Sequence, residues 1–348
     1  MIFRQMFDRV SSTYTYLLAN RRGGEALIID PVHERVERYL QLLDDLDLKL
    51  AKAVDTHVHA DHITGLAKLR DRTKCVTVMG RASSVDVVSM RVDDGDAIEI
   101  EGLRLGVMHT PGHTDDSYCF VLPDRVFTGD TLLIRGTGRC DFQNGDAAAA
   151  YDSLFNKLLA LPDETLVYPA HDYNGDTVST IGEERACNPR LQVASAAEYV
   201  ELMAGLDLAD PKMMDVAVPA NQRIGLPQTS AGDEAWSVGA GTACAEAGAP
   251  DVLLIDLRDS SERERDGVIP GSVHLAYAEV EAAVRPGGLV RYEATRGGKR
   301  IMYYCAFGER SALAVQTSRD AGLASVCHIV GGIDAWKEAG GEIERPPA

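Results

Sequence analysis

Seven consecutive residues, 56–62, read T-H-V-H-A-D-H and hold three histidines and one aspartate. The apolar stretch 50–54 just before them predicts a buried strand, and a helix is expected to begin near Thr64. Where a chain leaves a strand end, alternate side chains such as His57 and His59 point towards the same cavity. Imidazole together with carboxylate suits iron, zinc or manganese better than calcium. This stretch therefore predicts a metal site, and it restricts the fold to one in which a strand opens into that loop.

Three later loops place metal-ligand side chains in the same way. The predicted strand 103–108 leads to P-G-H-T at 111–114, the hairpin strand 125–128 leads to G-D at 129–130, and the strand 165–169 leads to P-A-H-D at 169–172. Because all these side chains follow strand ends, we expect one shared site, formed by His57, His59, Asp61, His62, His113, Asp130 and His171. His33 lies in a polar turn and His109 at a strand end, so neither is assigned to it.

Composition limits the class of protein and its partners. The length of 348 residues predicts about two domains, and the hydrophobic fraction of 45% is that of ordinary globular chains. A net charge of −18 argues against nucleic acid or an anionic membrane as a partner. The N-terminus has no signal-peptide pattern, and no apolar run is long enough for a bilayer. Seven scattered cysteines favour a reducing, cytoplasmic location. A homo-oligomer is neither predicted nor excluded.

The order of predicted elements indicates an α/β layer fold. Strands at 12–18 and 25–30, a helix at 36–45, the strand 50–54, a helix at 64–72 and a strand at 75–79 come first. Two hairpins follow, at 98–108 and 118–128.

The quoted motifs resemble the metallo-β-lactamase superfamily, which implies an αββα sandwich with the metal between two sheets. Further stretches resemble one branch of it, the persulfide dioxygenases, over residues 1–227. They are F-R-Q at 3–5, S-S-T-Y-T-Y-L at 11–17, 129–142, 171–173, 178–180, 183–185, 188–190 and 218–221.

The resemblance implies a mononuclear enzyme that oxidises glutathione persulfide with O2 to sulfite and glutathione. It implies one non-haem Fe(II), held by His57, His113 and Asp130, which leaves positions open for sulfur and oxygen. His59, Asp61, His62 and His171 would then orient the ligands, and Arg139, Tyr173 and Thr114 would bind glutathione. The alternative is a thioester hydrolase of the glyoxalase II type, which uses all seven metal-site side chains to hold two metals.

A second domain, 228–348, is predicted after a linker at 225–233. Its strand 301–304 leads directly into C-A-F-G-E-R-S at 305–311, and a helix is expected at 311–319. Between a strand end and a helix start, backbone N–H groups favour the thiolate of Cys305. Gly308 allows the loop to turn tightly, and Arg310 can hold the loop or a substrate oxygen. The other cysteines lack such a setting and are expected to be structural: Cys75, Cys119, Cys140, Cys187, Cys244 and Cys327.

This loop, with the strand end 256–258, I-P-G at 269–271 and G-G at 331–332, resembles the rhodanese sulfurtransferases over about 230–345. The resemblance implies a small α/β domain with a parallel sheet, in which Cys305 and Arg310 are catalytic. Cys305 would take the outer sulfur of thiosulfate and pass it to glutathione, so that the chain is bifunctional. The alternative is a rhodanese module that only binds a persulfide-carrying partner.

Overall fold

The computed structural model describes residues 1–206, 213–225 and 236–346. Tertiary contacts divide the chain into two compact units. The first comprises Met1–Asp86 and Arg91–Ile224, and the second comprises Val87–Met90 and Gly225–Ala348. Apart from its first residue, the predicted linker at 225–233 lies outside the described residues.

The first unit contains two six-stranded sheets. The strands of the first sheet lie in chain order: β1 (Ile2–Asp8), β2 (Thr13–Ala19), β3 (Glu25–Ile29), β4 (Lys49–Val54), β5 (Val76–Gly80) and β6 (Met90–Val92). The second sheet has the order β12-β11-β10-β9-β8-β7, with β7 (Ala97–Ile100), β8 (Leu103–His109), β9 (Tyr118–Leu122), β10 (Arg125–Gly129), β11 (Leu166–Pro169) and β12 (Ser179–Thr180). Parallel pairs β3–β4 and β10–β11 lie inside the two sheets, so the carboxyl ends of ligand-bearing strands share one edge.

Aromatic side chains join the faces of the two sheets. Phe3 of β1 packs 4.9 Å, centroid to centroid, from Tyr168 of β11, and Tyr16 of β2 packs 5.0 Å from Phe127 of β10. The Tyr16 hydroxyl donates to the Pro169 carbonyl at 2.5 Å. Burying such rings supplies much apolar area, and the buried Tyr16 hydroxyl has its acceptor.

Helices cover the outer faces of the sheets. They are α1 (Val36–Asp45), α2 (Leu66–Thr73), α3 (Ala147–Asp152), α4 (Ile181–Cys187), α5 (Ala196–Ala204) and α6 (Met214–Asn221). Ala150 of α3 and Tyr199 of α5, for example, pack with Val126 and Val167 of the second sheet in one apolar core. The predicted αββα sandwich is thereby confirmed.

The second unit is built on a five-stranded parallel sheet in the order β13-β17-β16-β14-β15. Its strands are β13 (Ser237–Val238), β14 (Val252–Asp256), β15 (Val273–His274), β16 (Arg300–Tyr304) and β17 (Val326–Ile329). Its helices are α7 (Ala240–Glu246), α8 (Ser260–Asp266), α9 (Val280–Ala283), α10 (Leu289–Thr295), α11 (Glu309–Asp320) and α12 (Gly332–Glu338). Successive residues of β16 pack in two different hydrophobic cores, one on each face of the sheet. Tyr303 lies in one of them and Tyr304 lies in the other. The predicted small α/β domain with a parallel sheet is confirmed.

Several elements differ from the sequence prediction, which did not include the short strands β6, β12, β13, β15 and β17. The edge strand β1 was not predicted, because Ile2–Asp8 has no clean apolar alternation and its pairing with β2 is a tertiary contact. The helix after the cysteine loop begins at Glu309 rather than at Ser311. Within the described ranges, the structure contains no helix both long and apolar enough to cross a membrane.

Candidate active sites

The histidine loop is anchored where β4 ends. Asp30, directly after β3, accepts from the Thr56 backbone N–H at 2.7 Å and from the Thr56 hydroxyl at 3.0 Å. Thr56 Oγ1 also lies 3.0 Å from His57 Nδ1. These contacts hold the His57 ring through one nitrogen, so that its other nitrogen is left for a ligand.

Three predicted ligands converge. One ligand atom each of His57, His113 and Asp130 lies within 4.8 Å of the others. The remaining polar atoms of the latter two are occupied: His113 Nδ1 donates to the Arg139 carbonyl at 2.7 Å, and Asp130 Oδ1 lies 2.6 Å from His171 Nδ1. His113 Nε2 and Asp130 Oδ2 face each other at 3.6 Å. Side chains whose second polar atom binds a protein group in this way fit a metal ion. That hydrogen bond sets the tautomer of the histidine and the direction of the remaining donor atom.

The electrostatics suit an ion at this point. Burial, followed by the charge of His59, lowers the pKa of His57 well below its usual value, so this imidazole is neutral with a lone pair available. Burial alone would raise the pKa of Asp130, but the charge and hydrogen bond of His171 hold it far below the usual range. Two imidazoles and one carboxylate are the donors of an open metal site.

His171 connects two carboxylates. Its Nε2 lies 2.9 Å from Asp61 Oδ2, and Asp130 binds its Nδ1. Although burial lowers the pKa of His171, the Asp130 and Asp61 charges raise it well above the usual value. The same Asp61 oxygen is 2.8 Å from His62 Nδ1 and accepts from the Thr13 hydroxyl at 3.1 Å. Asp61 and His171 are thus both engaged by protein groups.

A second set of donors lies beside the first. Ligand atoms of His59, Asp61 and His62 also fall within 4.8 Å of one another, as do those of Asp30, Asp55 and His59. His59 Nε2 is 3.2 Å from Asp30 Oδ1. In the described part of the chain, His59 Nδ1 and His62 Nε2 are buried without a hydrogen-bond partner. Those two nitrogens are what a second ion would require.

A cavity of about 840 Å³ opens above the His57–His113–Asp130 centre. Its walls include Arg139, Tyr173 and Arg190. Gly138 is needed here, because a Cβ at this position would come 2.3 Å from the Asp130 carbonyl oxygen and 2.8 Å from the His113 ring. The cavity is large enough for a tripeptide-sized ligand.

The three residues predicted to bind glutathione differ from one another in their exposure and in their hydrogen-bond partners. The Tyr173 side chain is 72% exposed, and its ring stacks 6.1 Å from that of His171. The Arg139 guanidinium forms two contacts of 2.6 Å with Asp141 and lies over Phe142. Thr114 is buried, its hydroxyl donates to Asp116 at 2.7 Å, and the described lining of the cavity does not include it.

Arg190 is a cavity residue that the sequence analysis did not assign. Its guanidinium donates to the carbonyl and hydroxyl of Thr137, and across the described ranges no carboxylate pairs with it. Burial lowers its pKa, as expected for a cation without a countercharge. The only available sequence signal was its position in N-P-R at 188–190.

In the second unit, the Cys305 loop lies between β16 and α11. Cys305 is buried, and the Gly308 backbone N–H donates to its sulfur at 3.1 Å. Gly308 has φ +91°, a left-handed conformation that glycine adopts readily. A backbone donor aimed at the sulfur favours its anionic form.

The Arg310 side chain, just after this loop, forms a buried ion pair. Its Nη1 and Nη2 contact the Glu262 carboxylate at 2.7 and 2.6 Å, and each side chain is 1% exposed. The Arg310 Nε is buried and finds no partner among the described residues. Glu262 was not assigned from the sequence. The pair ties α8 to α11 and thereby holds the loop.

The Gly331–Gly332 pair closes the loop from the other side. The N–H of Ile333 donates to the Cys305 carbonyl at 2.9 Å, and that of Asp334 donates to the Ala306 carbonyl at 3.2 Å. A Cβ on Gly332, which has φ +61°, would come 2.4 Å from the Cys305 carbonyl oxygen. This close approach explains why glycine stands there.

The sandwich with a histidine–aspartate centre and the parallel-sheet domain with a cysteine loop together define a class of fused protein. Family models agree: the metallo-beta-lactamase superfamily model matches residues 8–86 and 80–171, and the rhodanese-like domain model matches 242–339.

The human protein "Persulfide dioxygenase ETHE1, mitochondrial" is 47% identical over 234 residues, which cover 66% of this chain and 91% of the human protein. The crystal structure of ETHE1 from Myxococcus xanthus is 52% identical with a TM-score of 0.62, covering 64% of this chain and 98% of that one. A hydroxyacylglutathione hydrolase from Photobacterium profundum is 34% identical, covering 55% of this chain and 74% of that protein.

The chain belongs to the persulfide dioxygenase family of the metallo-β-lactamase superfamily and carries a C-terminal rhodanese-like domain. Both predicted resemblances are confirmed. The higher identity and coverage of the persulfide dioxygenases support that branch over the thioester hydrolases.

Proposed function

We propose that the first unit oxidises glutathione persulfide and that the second transfers sulfur between thiosulfate and glutathione. In the first reaction, glutathione persulfide, dioxygen and water give glutathione, sulfite and two protons. The observation that carries this proposal is the set His57, His113 and Asp130, in which protein contacts leave one donor atom of each directed to a common point below the cavity.

The group that fits this set is a single iron(II) ion. Bound iron would supply a redox couple and open coordination positions, which zinc with no redox chemistry does not offer. The protein's own part is to hold His57 as a neutral donor, to orient His113 through the Arg139 carbonyl, and to keep Asp130 ionised through His171. His59, Asp61 and His62 complete the network behind these ligands.

The engagement of His171 and Asp61 supports one metal rather than two. Both nitrogens of His171 contact carboxylates, and Asp61 Oδ2 has contacts from His171, His62 and Thr13. A second ion would have to displace those contacts. The unpartnered nitrogens of His59 and His62 favour the two-metal hydrolase. Elemental analysis of purified protein decides: we expect about one iron per chain, whereas two zinc ions per chain would establish the alternative.

Cations at the cavity wall would bind the carboxylates of glutathione. We assign Arg190 to this role because it has a cavity position and lacks a carboxylate partner among the described residues. Arg139 can take part only by sharing its guanidinium with Asp141. Tyr173 offers an exposed hydroxyl, and Thr114 would act through the turn next to His113 rather than by contact.

At the second site, the Cys305 thiolate would attack the outer sulfur of thiosulfate. The S–S bond of thiosulfate breaks, sulfite leaves with the electron pair, and a Cys305 persulfide forms. Attack by the glutathione thiolate on the outer sulfur then regenerates the Cys305 thiolate and yields glutathione persulfide. The Gly308 N–H directed at the sulfur supports this assignment. In this scheme Arg310 holds the loop through Glu262.

Two variants test whether the chain is bifunctional. We expect Cys305→Ser to abolish sulfur transfer from thiosulfate while leaving oxygen uptake with glutathione persulfide unchanged. We expect Asp130→Ala to lose bound iron and oxygen uptake while Cys305 still acquires sulfur. Loss of both reactions in either variant would contradict independent sites. If labelled thiosulfate leaves no sulfur on Cys305 of the unaltered chain, the second unit is a binding module.

Because all seven cysteines are free thiols, we also infer a reducing, cytoplasmic location.

A further inference from the structure

A line of polar side chains runs from the Cys305 loop into the sheet of the second unit, buried at Ser311 and His328 and partly exposed at Ser237. It passes from Ser311, in the first turn of α11, to His328 in β17 and on to Ser237 in β13. Ser311 and His328 are fully buried, and their strand and helix neighbours are mostly apolar. A polar group in such a place is unfavourable unless its hydrogen bonds are satisfied. Nothing in the proposed sulfur transfer yet uses His328.

The distances connect the line to the nucleophile. Ser311 Oγ lies 3.7 Å from Cys305 Sγ, and it donates to the Gly308 carbonyl at 2.9 Å. His328 Nδ1 is 3.3 Å from Ser311 Oγ, and His328 Nε2 is 3.2 Å from Ser237 Oγ. The parallel register of β13 and β17, with Ser237 opposite His328, brings the last two together.

Ser311 has one hydroxyl proton and three acceptors within reach. If it donates to Cys305, it stabilises the sulfur directly. If it donates to the Gly308 carbonyl, it holds Gly308 in place, the residue whose own N–H points at that sulfur. If it donates to His328 Nδ1, it does neither. His328 prevents this third arrangement when Nδ1 carries a proton and donates to Ser311 Oγ, since the hydroxyl proton then remains in the loop.

We propose that His328 is a positioning residue for sulfur transfer: as a hydrogen-bond donor through Nδ1, it directs the Ser311 hydroxyl towards the Cys305 loop. The proposal rests on the sulfur-transfer function proposed above. Hydrogen bonds to an ionised acceptor are stronger than those to a neutral one, so a directed hydroxyl favours the thiolate over the thiol. His328 acts through Ser311 and does not touch the substrate.

Asparagine and glutamine at position 328 form a matched pair. The asparagine amide N–H can take the place of Nδ1 next to Ser311, whereas the longer glutamine carries its amide to the place of Nε2 next to Ser237. Both are polar and uncharged, so a general effect of a smaller or polar side chain is shared by the two variants. Trp336, which packs in the core on the opposite face of β17 and β16, reports folding by its fluorescence.

The measurement is the rate at which iodoacetamide alkylates Cys305, followed by peptide mass spectrometry on the full chain. We expect His328→Gln to slow alkylation about tenfold, the effect of one hydrogen bond to a charged group. We expect His328→Asn to stay within about twofold of the unaltered chain, and Ser311→Ala to match His328→Gln. In the Ser311→Ala background, His328→Gln should add no further loss, because both act through one hydroxyl.

Equal rates for the asparagine and glutamine variants, or a full further loss in the Ser311→Ala background, would overturn the positioning role. If His328→Gln does not fold, the alkylation rate of His328→Asn still tests the proposal, measured with and without Ser311→Ala. The proposal is refuted if His328→Asn alone slows alkylation as much as Ser311→Ala does. Loading of Cys305 from thiosulfate is measured in parallel. If the unaltered chain does not load, sulfur transfer is refuted, while the alkylation rates still test His328.

Discussion

Replacing Glu262 by glutamine removes one charge from the buried pair that holds the Cys305 loop. In the structure, Glu262 and Arg310 meet through two contacts of 2.7 and 2.6 Å, with each side chain 1% exposed. The glutamine retains the shape and one acceptor oxygen of Glu262. Its amide NH2 faces a guanidinium N–H, so one of the two hydrogen bonds is lost and the Arg310 charge is left without compensation.

The expected loss of stability is large. Removing one partner of a buried ion pair costs about 3–5 kcal/mol, because the remaining charge stays out of water. Domains are stable by only about 5–15 kcal/mol. For a domain between about 100 and 150 residues, each kcal/mol lowers the melting temperature by about 4 °C. A loss of about 3 kcal/mol therefore lowers it by roughly 12 °C.

The chain offers a selective probe for this effect. Its two tryptophans, Trp236 and Trp336, both belong to the second unit. Intrinsic tryptophan fluorescence during heating or urea titration therefore follows that unit while the first contributes only tyrosine emission. We expect Glu262→Gln to shift the fluorescence transition by the amount above and to leave oxygen uptake with glutathione persulfide unchanged at temperatures below it.

An exposed ion pair of the same unit provides the control. Arg300 and Glu246 meet at 2.7 Å, but their side chains are 36% and 38% exposed. Glu246→Gln should cost less than about 1 kcal/mol, because water already screens that pair. If Glu262→Gln shifts the transition no more than Glu246→Gln does, the buried pair does not stabilise the loop. The double variant Glu262→Leu and Arg310→Met should recover much of the loss, and sulfur loading by it would show that Arg310 holds the loop rather than the substrate.

Two further predictions concern the first unit. Gly138→Ala places a methyl group 2.3 Å from the Asp130 carbonyl oxygen and against the His113 ring. The control is Gly106→Ala, whose Cβ would meet nothing closer than 3.8 Å. We expect elemental analysis to find much less iron in Gly138→Ala than in Gly106→Ala, and equal iron content would contradict the placement of the centre. Arg190→Met removes the cavity cation that has no carboxylate partner among the described residues. We expect KM for glutathione persulfide to rise about tenfold with little change in kcat, because a carboxylate contact remote from the reacting sulfur contributes equally to ground and transition states. A fall in kcat at unchanged KM would refute that assignment.

Much of the metal centre was predictable because it depends on local rules. His57, His113, Asp130 and His171 each follow a predicted strand, and in this sandwich the ends of those strands meet at one edge. The residue types then restrict the ion. Cys305 was predictable for a similar reason, since a strand followed at once by a helix places the loop N–H groups around one side chain.

Side-chain pairing was not predictable in the same way. Arg139 was predicted to bind a ligand, and Arg310 to hold either the loop or a substrate oxygen. In the structure, Arg139 pairs with Asp141, and Arg310 pairs with Glu262, 48 positions away in the chain. The Thr114 hydroxyl was expected at the substrate and instead donates within its own turn to Asp116.

The sequence by itself determined the class of fold and the strand-end positions of the reactive groups, because periodicity and residue chemistry act over short stretches of chain. Only the tertiary structure decided which cations keep a countercharge and which, like Arg190, face the cavity with no carboxylate partner among the described residues. It also decided that His328 contacts Ser311, which lies next to Cys305. Those outcomes depend on distances between residues that lie far apart in the sequence. Because the attraction between two charges falls with their separation, a shift of a few ångströms decides whether an arginine forms a buried ion pair or stays available for a ligand.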